Sequence, residues 1–249
     1  GLKPEDLKIM EIDGGRYAAA ELHETGKPAG EVLVEALTEL IAGIKFDKVM
    51  RWNESQAGFS RPIRWLLALF GSQVIPFRYA GLTAENTTRG LRFNSAEQVS
   101  VKSAEAYGDA LKTQGILLDP AERRLVIEKQ VSQLSVSLGG KPEVDQTLLD
   151  EVNNLVERPT AFPGKFDPES LKLPSEVLIS VMKKHQRYFP VIKPDGELLP
   201  YFIGVRNGDD RFLETVTDGN EQVIRARFAD AAFFINEDVR HKLEEFVPQ

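Results

Sequence analysis

Apolar positions follow two periods along this chain and switch between them irregularly. At the start, Ile9-Met10-Glu11-Ile12 runs into Asp13-Gly14-Gly15-Arg16 and then Tyr17. Asp-Gly and Gly-Gly supply the positive φ of a tight turn, which predicts a β-hairpin. Leu33, Leu37, Leu40, Ile41 and Ile44 share one helical face and predict a helix over 30–45. The apolar run Trp65 to Phe70 predicts a buried strand, turned by Gly71-Ser72 into a second around Val74-Ile75-Pro76-Phe77. A short helix over 103–114 and a short strand at Ile116-Leu117-Leu118 follow. Asp119-Pro120-Ala121-Glu122 opens a helix with a cap and a first-turn proline. Its buried stripe is Ile127, Val131, Leu134 and Leu138, and Gly139-Gly140 ends it. Helices are predicted over 145–157 and 174–186. A hairpin then pairs Tyr188–Ile192 with Leu198–Val205 across Lys193-Pro194-Asp195-Gly196. Residues 220–245 predict one or two helices capped by Asn220. Strand pairs mixed with helices, without βα alternation, predict an α+β fold with mixed or antiparallel sheets, packed helices and a C-terminal helical segment. An α+β region is placed over 1–212, dividing near 97–102 if it has two lobes. A helical connector to further domains is placed over 213–249.

Charge changes the picture. The 249 residues carry a net charge of −7, which argues mildly against a nucleic-acid partner. Yet residues 48–92 hold seven Lys/Arg against two acids, a balance of +5, while 1–47 and 93–182 each balance to −5. One basic stretch therefore lies inside an acidic chain. No apolar run approaches the roughly 18 residues that span a bilayer. The absence of Cys excludes disulfides and thiolate metal sites, as expected of a cytoplasmic protein. No GxxxxGKS/T phosphate loop, GxGxxG turn, GxSxG elbow or HExxH is present. His23, His185 and His241 lie far apart in sequence, so no metal ligand and no catalytic residue is assigned.

Candidate binding residues come from three basic stretches. Lys48-Val49-Met50-Arg51-Trp52 and Phe59-Ser60-Arg61-Pro62-Ile63-Arg64-Trp65 place four cations and two tryptophans within 18 positions. Cations neutralise phosphates and aromatic faces stack on exposed bases. The alternative is a core role for both tryptophans and buried ion pairs for Arg61 and Arg64. Thr87-Thr88-Arg89-Gly90-Leu91-Arg92-Phe93 reads either as an anion-binding loop or as a strand edge with Arg89, Leu91 and Phe93 on one face. In Lys183-Lys184-His185-Gln186-Arg187-Tyr188, a helix C-terminus accounts for the lysines but not for Gln186, Arg187 and Tyr188. The candidates are Arg51, Arg61, Arg64, Arg89, Arg92, Lys184, His185, Gln186 and Arg187. Asn220 to Phe234 reads as a packed structural helix, with Glu221–Arg225 and Arg227–Asp230 spaced to bridge along it.

These same stretches resemble the β subunits of bacterial-type glycyl-tRNA synthetase. Lys184 to Pro190 is similar to the family's HQ(K/R)YF signature. Asn220-Glu221 with Ala226 to Phe234 resembles NE…ARxxDAxFF, Met50-Arg51-Trp52 with Arg61 to Trp65 resembles MRW…RPIRW, and Thr88 to Phe93 resembles TRGHRF. Four blocks in order across nearly the whole chain identify it as a member, an internal piece of such a subunit. Two positions depart: Leu91 stands where the family has His, and Arg158 where it often has Trp. The resemblance implies an α2β2 enzyme that joins glycine to tRNA(Gly) with ATP and Mg2+, both handled by the α subunit and neither by this piece. It implies a β region that binds tRNA and assembles with α, further C-terminal domains, and no membrane. Two other roles are weighed: a purely structural scaffold against the α subunit, and an editing-like hydrolytic domain.

Overall fold

A computed structural model describes residues 7–20, 25–92, 98–143, 145–240, 242 and 245. The chain divides into two compact units, Gly1–Asn86 and Thr87–Gln249. The α+β expectation holds: small antiparallel sheets alternate irregularly with helices.

The first unit opens on β1 (Leu7–Ile12) and β2 (Gly15–Ala20), paired antiparallel with Ile12 opposite Gly15. Asp13 (φ 51°) and Gly14 (φ 79°) form the two-residue turn, both left-handed as this tightest hairpin turn requires. Helix α1 (Ala29–Gly43) follows the predicted period. Leu33, Leu37 and Ile41 are half-buried, whereas Leu40 and Ile44 stay exposed. Two-residue strands β3 (Met50–Arg51) and β4 (Gly58–Phe59) pair next.

The run Trp65 to Phe70 is not the single buried strand expected. It splits into β5 (Leu66–Leu67) and β6 (Leu69–Phe70), with Trp65 and Phe70 exposed. The break is at Ala68, whose N–H donates to Glu85 O while its own carbonyl accepts from Ile75. Leu69 and Phe70 turn back through Gly71-Ser72 onto β7 (Gln73–Val74). Strand β8 (Arg78–Tyr79) pairs with β9 (Leu82–Glu85), and β5 runs parallel to β9. Only Ile75, Phe77 and Ala84 are fully buried among the described residues of this unit.

The second unit begins with the antiparallel pair β10 (Thr87–Arg89) and β11 (Gln98–Ser100) and helix α2 (Tyr107–Thr113). Leu91, Leu111 and Ile116 form a small core under Tyr107. Ile116-Leu117-Leu118 is not a strand. Gly115 (φ 76°) ends α2 and Asp119 already caps the next helix, leaving Leu117 one backbone bond, to Glu157 O. In α3 (Pro120–Ser137) the Asp119 carboxylate accepts from the Ala121 N–H at 2.7 Å, and Gly139 (φ 80°) follows its end.

A four-stranded antiparallel sheet carries the main core. Its order is β12 (Lys141–Pro142), β14 (Phe189–Ile192), β15 (Leu198–Asn207), β13 (Pro159–Lys165). Both faces are covered. On one, Ile127 and Val131 of α3 and Leu148, Leu149 and Val152 of α4 (Gln146–Leu155) pack on Phe189, Val191 and Ile203. On the other, Phe162, Phe166 and Phe202 meet Leu178 of α5 (Ser175–Ser180), Met182, Tyr188, and Ile224 and Phe228 of α6 (Leu213–Asp238). The alternation of Phe202 and Ile203 to opposite faces is the period-2 geometry of a strand buried on both sides.

Two helix boundaries differ from expectation. The helix predicted over 174–186 is α-helical only to Ser180, and Val181–Gln186 is a π-helical turn. Helix α6 starts at Leu213, seven residues before the predicted Asn220 cap. Leu213 and Val216 pack against the second core, which extends the helix backward. Asn220 sits inside it and donates to Val216 O.

Candidate functional site

The segment Val181–Tyr188 is shaped by its burial. Leu178 and Met182 are both fully buried. Widening the next turn to π geometry lets Tyr188 also point inward, with its N–H bonded to Met182 O at 3.0 Å. Arg187 closes the turn at φ 56°, the left-handed conformation that ends many helices. Its guanidinium is committed: Nε and Nη2 each lie 2.7 Å from Glu151 Oε1 on α4, and Nη1 donates to His185 O. Lys183 is likewise held by Asp145 (3.1 Å) and Glu143 (3.5 Å). The Lys183 ammonium, with the Thr147 and Leu148 N–H groups, keeps the Asp145 carboxyl below its ordinary range despite some desolvation. Tyr188 stacks on Phe202 at 4.3 Å and donates its hydroxyl to Asn220 Oδ1.

An ion pair therefore accounts for Arg187 and packing for Tyr188, both of which the sequence left without a structural reason. Lys184 and His185 remain exposed, Gln186 is half-buried, and neither the Lys184 nor the His185 side chain has a partner among the described residues.

The two motifs flanking this core are coupled. Asn220 accepts from Tyr188, and the next residue, Glu221, accepts the Lys165 N–H at the end of β13 (2.9 Å). Glu221 thus clamps α6 to the sheet instead of bridging to Arg225. Burial pushes the Tyr188 phenol up from 10.0 to about 12. Since the folded state holds this proton more tightly than the unfolded chain, the associated stability is complete below about pH 10. It is lost as pH rises toward 12. Tyr188→Phe is expected to lose about 1–3 kcal/mol near neutral pH by stranding Asn220 Oδ1, and to flatten the decline between pH 10 and 12. Urea melts at both pH values check this. An unaltered alkaline decline would remove Tyr188 as its source.

In the first unit, Arg51, Arg61 and Arg64 are exposed, and no described side chain pairs with any of them. Buried ion pairing of Arg61 and Arg64 is thereby set aside. The indole Nε1 of Trp52 donates to Phe59 O at 2.8 Å, which fixes a ring that is 38% exposed. Trp65 is 42% exposed, so the core-strand reading of that tryptophan does not hold. Arg61 to Leu66 form one wall of an open groove of about 350 Å3, completed by Ile41, Ile44 and Phe59.

The Thr87–Arg92 segment is divided. Thr88 and Leu91 are buried, Arg89 is half-buried in β10, and Arg92 is exposed. Leu91 is 1% exposed and fills the core against Leu111 and Ile116. Phe93, His23 and His241 lie outside the described residues. The candidates thus fall on both units: Arg51, Arg61 and Arg64 on the first, Arg89, Arg92, Lys184, His185, Gln186 and Arg187 on the second.

Sequence reasoning missed the acidic anchors Glu151, Glu143 and Asp145. Asp145 had a signal: an Asp just before the periodic stretch of α4, where it accepts from Thr147 N–H at 2.9 Å. An open pocket of about 450 Å3 lies among Gln130, Arg158, Thr160 and Asp209. Three of its polar side chains are already employed. Gln130 bridges Pro159 O and Ala161 N–H, Thr160 donates to Gly208 O, and Asp209 holds Arg211 at 2.8 Å. Desolvation raises the Asp209 pKa, but the hydrogen bonds from Arg211 and the charges of Arg211 and Arg158 outweigh it, and the net shift is downward. Among the described residues no group of three His, Asp or Glu could hold a metal ion, and no helix is long and apolar enough to cross a membrane.

Known proteins match along the whole chain. The family model described as glycyl-tRNA synthetase beta subunit covers residues 1–249. A "Glycine--tRNA ligase beta subunit" of Moorella thermoacetica is 49% identical over 249 residues, and one of Desulforamulus reducens 48% over 243. The Bacillus subtilis protein of that name is 43% identical over 244 residues. These alignments take in 98–100% of this chain but only 35–36% of the relatives' length.

Proposed function

As the chain belongs to the glycyl-tRNA synthetase beta subunit family, we propose that it is a tRNA-binding and assembly region of a glycine–tRNA ligase. In this reading it works in the cytoplasm beside a catalytic α subunit, in an α2β2 assembly, with ATP and Mg2+ handled by that partner. The observation that carries the tRNA role is the set of exposed cations that pair with no described side chain. Arg51, Arg61 and Arg64 lie in a +5 stretch of a −7 chain, and Lys184 and His185 stand exposed on the π-helical turn. Such cations gain most by releasing counterions from a polyanion, while the acidic remainder repels it elsewhere. Residues 213–249 act as the link to further domains; Phe233 and Phe234, beyond the buried part of α6, are exposed there.

The test is binding of tRNA(Gly) by the α–β complex across ionic strengths. Affinity should fall steeply with salt, and a flat response would favour a scaffold role. The chain alone is expected to give no glycine-dependent ATP–pyrophosphate exchange above background, since no ATP-binding signature is present. Exchange by the chain alone would overturn the division of labour.

A further inference from the structure

The groove on the first unit has a floor and a rim of different chemistry. Ile41 of α1, Ile44 just beyond its end, Phe59 and Ile63 supply apolar surface, and Trp65 lies along the wall. Arg61 and Arg64 belong to the same wall, are exposed, and pair with no described side chain. Trp52 stands on the hairpin that carries Phe59, its indole N–H bonded to the Phe59 carbonyl. Phe59 is braced in turn by an edge contact from Phe46 at 4.6 Å. Aromatic surface beside cations that pair with no described side chain suits a ligand that joins a flat π system to negative charge. An unstacked nucleotide has both, a base face for the ring and a phosphate for each arginine. An acidic apolar peptide segment would satisfy the charges but make no specific use of the aromatic planes.

We propose that this groove is a subsite for an unpaired nucleotide of RNA, stacked against Trp65 and held by Arg61 and Arg64 at its flanking phosphates. The proposal rests on the tRNA-binding reading and adds a base contact to it. Phosphate contacts alone position a nucleic acid; a stacked base selects single-stranded or looped segments over duplex.

The chain contains only two tryptophans, Trp52 and Trp65, both on this unit. Intrinsic fluorescence therefore reports on this region alone. A single-stranded RNA oligonucleotide should quench it, while polyphosphate, an anion without bases, should bind with salt dependence and quench little. Trp65→Leu should weaken binding of a dye-labelled single-stranded RNA by roughly 5- to 150-fold, the range of one stacking contact. Trp65→Phe should retain most of the affinity and shows that the fold tolerates the site. The Arg61→Gln/Arg64→Gln variant should weaken RNA and polyphosphate together. Equal quenching by polyphosphate, or unchanged RNA affinity in a folded Trp65→Leu, would overturn the subsite and leave the phosphate surface standing. Absence of any salt-dependent binding would remove both. Hydroxyl-radical footprinting of the full α–β complex supplies the last arm. Protection of Trp65 by the protein partner before RNA is added would make the groove a protein interface and end the proposal.

Discussion

Phe202→Ala is expected to destabilise the second unit by about 3–5 kcal/mol, the usual range for deleting a buried aromatic ring. Phe202 is completely buried, stacks on Tyr188, and lies over a glycine on the neighbouring strand. Strands β13 and β15 pair Gly164 with Phe202 and Phe162 with Gly204. Each ring occupies the space above the opposing glycine. A Cβ on Gly164 would come within 2.2 Å of the Phe202 ring, and one on Gly204 within 2.4 Å of Phe162. These are rigid ring atoms in a packed layer, so Gly164→Ala should also destabilise, by about 1–3 kcal/mol. The two effects share one cause. In the Phe202→Ala background the added methyl has room, and the Gly164→Ala penalty should largely vanish. Urea unfolding followed by circular dichroism measures this cycle, because both tryptophans lie in the other unit. Additive penalties would show that the glycine is needed for some other reason.

The pair explains which parts of the fold could be read in advance. Elements set by local chemistry are found where the sequence placed them: the Asp13-Gly14 turn, the Asp119-Pro120 helix start and the hairpin across Pro194-Asp195-Gly196. Each depends on a few adjacent residues. The π-helical turn at Val181–Gln186 and the early start of α6 depend on distant ones, since both follow from what Phe162 and Phe202 leave to be filled. The Phe–Gly exchange spans residues about forty apart, and neither member signals its partner. The same limit divided the candidate site. Basic-aromatic composition marks Arg51, Arg61 and Arg64 but left burial open for the last two, and all three are exposed. For Arg187 the deciding residue is Glu151, and nothing near Arg187 in sequence points to it. Leu91 shows the same limit: the sequence left its stretch open between an anion-binding loop and a strand edge, and the residue that stands where the family has His is a core position here.

In a complete α–β complex, the Arg61→Gln/Arg64→Gln double variant is expected to lose tRNA affinity, while Arg187→Gln is expected to keep it. Each lost phosphate contact should make the slope of log affinity against log salt shallower by about 0.7 to 0.9. The double variant should therefore lose about 1.4 to 1.8, with affinity down roughly fivefold per contact near 0.15 M salt. Lys184→Gln, a single exposed cation, should lose one increment. Arg187 differs because its charge is already spent on Glu151, with both side chains a little over two-fifths exposed. Removing that pair should cost at most about 1 kcal/mol of stability, the range of solvated ion pairs, and leave the salt slope unaltered. Thermal melts establish that each variant is folded, and filter binding at four or more salt concentrations gives the slopes. A shallower slope for Arg187→Gln would mean that tRNA draws this guanidinium away from Glu151. An unchanged slope for the double variant would remove the first unit from the phosphate surface and turn the reading toward a scaffold against the α subunit.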